Sequence, residues 1–176
     1  MTVLYPEADK VQGNTSVVAV LTVADLDAAK LATEINAATS EHLSCFLRDW
    51  NPVVNLNTGQ APMRLCTTIQ LPAEGNAVFE AQELRYVYKP QEADAHDGNA
   101  AKAALAPGTS LVLLIRKGLD SRETAWAVGD QYEAWPGRMG KVQDRTRSGD
   151  DEFAEYEIKQ LFIPTQLPEL DGVVVA

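Results

Sequence analysis

The side chains in this sequence that most often ligate metals or attack substrates are His42, Cys45, Cys66 and His96. A zinc site would use them through spacings such as Cys-x-x-Cys or His-x3-His, which bring two ligands together on one local turn. Only His42 and Cys45 are close in sequence, within HLSCFL, and neither spacing occurs. No metal site is expected. Cys45 and Cys66, in HLSCFL and RLCTTIQ, read as buried strand thiols of a reducing compartment. His96 reads as a polar residue ahead of a helix.

Other candidates fail on their own chemistry. DAHDGN imitates a calcium loop, but setting Gly98 at the sixth position puts Ala93, Ala95 and Ala104 where oxygen ligands belong. GRMGK is too short to cradle a phosphate, and no Gly-x-Ser-x-Gly elbow is present. Asp150, Asp151, Glu152, Glu155 and Glu157 form an acidic run, which most simply makes a solvated face. No nucleophile, base and orienting partner stand out together. The sequence therefore predicts no catalytic, cofactor-binding or metal-binding residue and no enzyme.

Charge narrows the partners. With 25 acids against 15 bases the net charge is -10. Gripping duplex DNA requires Lys and Arg to displace counterions from phosphates, and this balance opposes it. The opening MTVLYPEADKVQG lacks the basic and apolar regions of a targeting signal, and the longest apolar run is far short of a membrane span. A soluble product of the cytoplasm is expected, without membrane contact.

The elements that position these residues read as mainly β. VVAVLTV (17–23) is rich in β-branched residues and predicts a strand. ADLDAAKLATEINAA predicts a short helix capped by Asp25. EHLSCFLRDW (41–50), PMRLCTTIQLP (62–72) and AVFEAQELRYVYKP (77–90) predict strands. In the last, Leu84, Tyr86 and Tyr88 share one face and Arg85 and Lys89 the other. HDGNAAKAALAPG (96–108) predicts an amphipathic helix stopped by Pro107-Gly108. TSLVLLIRKG (109–118) is continuously apolar, as a central strand should be. Strands are also expected over 123–135, 137–149 and 150–165.

Together these predict a single domain over 1–176, an antiparallel β-sandwich or barrel with one flanking α-helix. Residues 1–16 and 166–176 read as terminal arms.

Two stretches carry more apolar or charged pattern than a simple surface needs. Arg138, Lys141, Arg145 and Arg147 precede a Ser148-Gly149 turn signal and the acidic run, which predicts a hairpin with opposite charges across its strands. Its first strand has almost no apolar face, as if it added to a sheet shared with another copy or lined a water-filled space. RDWNPVVNLNTGQAP (48–62) is punctuated as a loop yet displays Trp50, Val53, Val54 and Leu56. Such a loop either packs over its own core or buries its apolar residues on a partner.

The ordered set of segments LATEINAATSEHLSCFL, NPVVNLNTGQAPMRLCTTIQLPAEGNA, YVYKPQ, the Ala-rich helix, VLLIRKG and DDEFAEYEIKQ resembles the major tail tube proteins of long-tailed phages of actinobacteria. The resemblance covers nearly the whole chain. It implies a β-sandwich whose copies close into hexameric rings, stacked as a tail tube through which genomic DNA passes without specific binding. It implies no cofactor and no active site. Its implied partners are other copies of the chain and the tape measure, tail terminator and distal tail proteins. The implied location is the virion tail, assembled in the host cytoplasm. On this reading Trp50, Val53, Val54 and Leu56 contact a neighbouring subunit or ring, and Glu155 and Glu157 are channel-facing acids. The competing readings are a terminator or connector ring and a ligand-binding β-barrel.

Overall fold

The computed structural model describes residues 13–21, 32–37, 39–50, 52, 55–60, 72–78, 80–150 and 152–176. The expected strand over 62–72, with Cys66, and most of residues 1–16 and of the helix after Asp25 lie outside them, as do Val53 and Val54.

The main sheet is antiparallel throughout. Its strands are β1 (Thr15–Val20), β2 (Ser40–His42), β3 (Leu47–Asp49), β6 (Gln82–Val87), β7 (Ser110–Lys117), β8 (Gln131–Arg147), β9 (Tyr156–Pro164) and β10 (Glu169–Val173). The order is β2-β1-β7-β8-β9-β6-β3, with β10 also pairing to β8. A second, two-stranded ribbon joins β4 (Asn55–Gln60) to β5 (Pro72–Val78). The helical segments among the described residues are α1 (Ala32–Ile35) and α2 (Ala100–Ala104), the latter entered through a 3-10 turn at Asp97–Asn99.

The connection between β2 and β3 forces this sheet to roll up. They stand at opposite ends of the strand order, which laid flat would separate them by about 29 Å at ~4.8 Å per strand. Only Leu43–Phe46 link them, and that link spans at most about 18 Å. The sheet therefore curls until its ends approach, giving the expected β-sandwich. This also corrects the single strand expected over 41–50. The chain turns at 44–46, where Phe46 and Leu47 N–H both donate to the Leu43 carbonyl at 2.9 and 3.0 Å.

The turn moves Cys45 to the surface as a free thiol, contrary to the burial expected of it. His96 does precede a helical turn, and its Nδ1 accepts from Gly98 N–H at 2.9 Å.

β7 is central, between β1 and β8, and its six middle residues are all buried. One face of β1 and β7 (Val17, Ala19, Leu111, Leu113, Ile115) packs on Leu84, Tyr86, Trp135, Ile158 and Phe162. The other face (Val18, Val20, Val112, Leu114) packs on Ile35, Trp126, Tyr132 and Val174. Burial on both faces explains the continuous apolar run in the sequence. The alternation over 84–88 also holds. Leu84 and Tyr86 are buried, Tyr88 packs half-buried on the same core, and Arg85 and Lys89 are exposed.

Residues 123–130 form a loop rather than a strand. Arg116, 1 % exposed, anchors it by pairing with Asp130 at 2.7 Å and donating to the Asp120 and Glu123 carbonyls. A single 17-residue β8 then runs through Pro136, where two strands were expected. The proline is tolerated because of where its missing N–H points. The Pro136 carbonyl accepts from Thr165 N–H, so its nitrogen faces the same side, in the gap between the end of β10 pairing at Ala134 and the start of β9 pairing at Gly137. No ladder donor is needed there.

Residues 166–176, expected as an arm, instead place β10 along β8 and bury Val174.

Candidate functional site

β8 changes partners halfway along. Residues 133–138 pair with β7 on one edge, while 137–147 pair with β9 on the other. Between Met139 and Gln143 a bulge intervenes, and Gln160 Nε2 donates to the Gly140 carbonyl there at 2.8 Å. A bulge bends the strand that carries it. Beyond it, among the described residues, no strand pairs with the β7-side edge of 141–147. The far edge of β3 is likewise without a described strand partner. Four strands, β3, β6, β9 and the end of β8, thus form a sheet open at both edges among the described residues. Exposed edges of this kind are templates for pairing with another chain.

The two faces of this sheet differ. Tyr86, Gln143 and Gln160 share a buried hydrogen-bonded network on the core face, with Tyr86 Oη donating to Gln160 Oε1 at 2.7 Å and Gln143 Nε2 donating to Tyr86 Oη at 3.0 Å. Burial raises the Tyr86 phenol well above its ordinary value, an effect the Gln143 hydrogen bond partly offsets, so the hydroxyl remains a neutral donor.

The opposite face is polar. Arg85 lies opposite Lys159, which lies opposite Asp144, and Glu157 lies between Val87 and Thr146. Arg48, on β3, reaches both Glu155 and Glu157, the latter at 3.5 Å. Lys159 approaches Glu157 at 3.9 Å, and Arg85 pairs with Glu83 at 2.7 Å. Glu157 is almost wholly buried beneath these cations, while Glu155 is largely exposed.

This arrangement departs from the hairpin expected between β8 and β9. The link is the eight residues 148–155, not a two-residue turn. Across the ladder Asp144 faces Lys159, whereas Arg145 faces Ile158 and Arg147 faces Tyr156. Asp150 does pair with Arg147 at 3.0 Å, while Glu155 and Glu157 find their base on β3 instead. Arg48 went unremarked in the sequence because its acids lie more than 100 residues away. The expected wet strand is present, since residues 141–147 are exposed or half-buried on both faces and Val142 is 68 % exposed.

The remaining sequence candidates separate. Trp50 is seated on its own core, edge-to-face with Trp135 at 6.4 Å and Phe162 at 5.8 Å. Leu56 lies on β4 in register with Ala77, so the stretch expected as a loop is in part a strand. Among the described residues no three His, Cys, Asp or Glu side chains gather closely enough to hold a metal ion. No described helix is long and apolar enough to cross a membrane.

A comparison with curated proteins finds no match. A family model described as phage tail tube protein matches residues 4–176. An antiparallel sandwich with open sheet edges suits a protein whose work is to join its own copies, and this chain belongs to the phage tail tube protein family, the structural components of the phage tail.

Proposed function

We propose that six copies of this chain close into a ring through the edges of the four-stranded sheet, the end of β8 in one copy pairing with β3 of the next. Such a head-to-tail contact is heterologous, and rings form when its rotation closes. Stacked rings make the tube that conducts the genome, in the virion tail of a phage of an actinobacterial host. Assembly takes place in the host cytoplasm, beside the tape measure, terminator and distal tail proteins. The chain acts as one domain without catalysis.

The observation that carries this reading is the polar face between two open edges. On it Arg48, Arg85 and Lys159 each lie beside a carboxylate of the same face. A channel wall built from it, with Glu155 exposed on its lining and Glu157 buried beneath Arg48 and Lys159 rather than facing the channel, offers few uncommitted cations to phosphates, so DNA slides rather than sticks. The second contact, toward an adjoining ring, is assigned to the segment that contains Val53, Val54 and Leu56. Isolated two-stranded ribbons are marginal in water and gain from such a partner.

Negative-stain microscopy of the concentrated protein tests the reading. Tubes of indefinite length with six-fold end views are expected, together with no gel shift of duplex DNA at physiological salt. Growth that stops at one ring would favour a terminator. A monodisperse monomer at high concentration would overturn assembly altogether.

A further inference from the structure

β3 supplies one of the two edges that the ring reading joins, yet few backbone bonds hold it in place. It is three residues long, Leu47–Asp49, and its ladder to β6 has two registered pairs, Leu47 with Tyr86 and Asp49 with Arg85, with an irregularity between them. Among the described residues it has no strand on its outer side. Asn51-Pro52 follows, and a proline cannot donate to a ladder. Segments with so few backbone bonds are the first to open locally.

The two faces of β3 are restrained differently. Towards the core, Phe46, Leu47 and Trp50 pack half-buried on the main cluster. On the polar face the restraint is Arg48. Its guanidinium reaches over β6 to β9, placing Nη2 on Glu155 and Nε 3.5 Å from Glu157 Oε2. The backbones of β3 and β9 are two strand spacings apart, about 10 Å.

The two carboxylates contribute unequally. The Glu155 side chain is 63 % exposed, where water screens an ion pair and leaves it little weight. The Glu157 side chain is 4 % exposed, with Lys159 at 3.9 Å as a second cation. Stripping a buried carboxylate of its cations is costly, so Glu157 holds Arg48 where it lies. Glu155 in turn is tied to the end of β8. Its N–H donates to Ser148 Oγ and its carbonyl accepts from Ser148 N–H, both at 2.9 Å. Arg48 therefore connects one open edge of the sheet with the end of the strand that forms the other.

We propose that Arg48, seated on Glu157, is a positioning residue for assembly: it holds β3 on the sheet in the free subunit, so that the joining edge is formed before a second copy arrives. The inference rests on the edge-pairing reading of assembly and adds the residue that prepares the edge. Order established in advance lowers the entropy lost on association.

Val87 is the reporter, because its N–H donates to the Phe46 carbonyl at 3.0 Å where the chain enters β3. Amide exchange is followed by NMR below the concentration of assembly, in the parent, Arg48→Ala, Arg48→Lys and Glu157→Gln. In Arg48→Ala the Val87 amide should exchange about 10-fold faster or more, the size expected when a charge-assisted hydrogen bond is lost, while the amides of β7 keep their parent rates. Glu157→Gln should shift Val87 in the same direction. Arg48→Lys keeps the charge without the fork of donors and should fall between the parent and Arg48→Ala. The concentration needed for growth, read by light scattering and negative stain, should rise in the same order as the exchange rates.

Parent-like exchange at Val87 in Arg48→Ala would overturn the brace, since packing of Phe46, Leu47 and Trp50 would then suffice. Val87 and β7 amides accelerating together would overturn it as well, because Arg48 would then serve the whole fold. Faster exchange at Val87 with unchanged growth would overturn the assembly role. A parent protein that stays monomeric at every concentration would overturn the self-assembly reading, and the exchange rates would still decide whether Arg48 holds β3.

Discussion

Truncating Trp50 distinguishes a core residue from a contact residue. The ring is half-buried and packs edge-to-face on Trp135 and Phe162. Deleting a fully buried Phe or Trp side chain costs about 3–5 kcal/mol, of which each aromatic pair supplies about 0.5–1.5 kcal/mol. Partial exposure reduces the transfer part, so Trp50→Ala should cost about 2–3 kcal/mol. For a chain of this length 1 kcal/mol moves Tm by about 2–4 °C, which places the expected fall at about 4–12 °C. Trp50→Phe is the control. It keeps a ring edge against Phe162 and discards an indole N–H that is buried without an acceptor among the described residues. Its cost should stay below about 1 kcal/mol. The assay is thermal and urea unfolding at a concentration below that of assembly, so that only the subunit is measured. An Ala variant melting within about 1 °C of the parent would refute the placement of Trp50 on its own core. Its failure to assemble would then point to a contact between copies.

Gly137→Ala should destabilise the subunit by about 1–3 kcal/mol, measured by urea unfolding, because an added Cβ would lie 2.2 Å from Phe162 Cζ and 2.9 Å from the Ile163 carbonyl oxygen. Cys45 should react with a thiol reagent in the folded protein without denaturant, since it lies exposed in a turn; labelling that waits for unfolding would contradict the turn. His42 is held below its ordinary value, 6.5, by burial and then by the charge of Arg116. The folded state therefore binds fewer protons there than the unfolded chain, so stability present above that value is lost as pH falls through the folded pKa. Unfolding free energies compared between His42→Gln and the parent should show the parent losing more over this interval, and parallel profiles would refute the assignment.

The sequence by itself determined what depends on neighbouring residues. The apolar run of β7, the alternation of Leu84 and Tyr86, the helical turn after His96 and the wet second half of β8 all follow from residue types at periods of two or three to four. The ordered segments also pointed to the tail tube family, because their sequence along the chain is itself information.

The tertiary structure decided what depends on distant partners. HLSCFL reads as a strand, but rolling the sheet requires a turn between its ends, and that turn puts Cys45 on the surface. Pro136 reads as a break, yet it sits where β8 exchanges β10 for β9 and no N–H is required. Trp50 reads as a contact to offer, but Trp135 and Phe162, 85 and 112 residues further on, receive it first. Arg48 reads as an ordinary surface base until strand order sets it beside Glu155 and Glu157. Local spacing carries no record of which remote segment arrives alongside, and in this sheet remote pairing fixes both the buried faces and the edges left open.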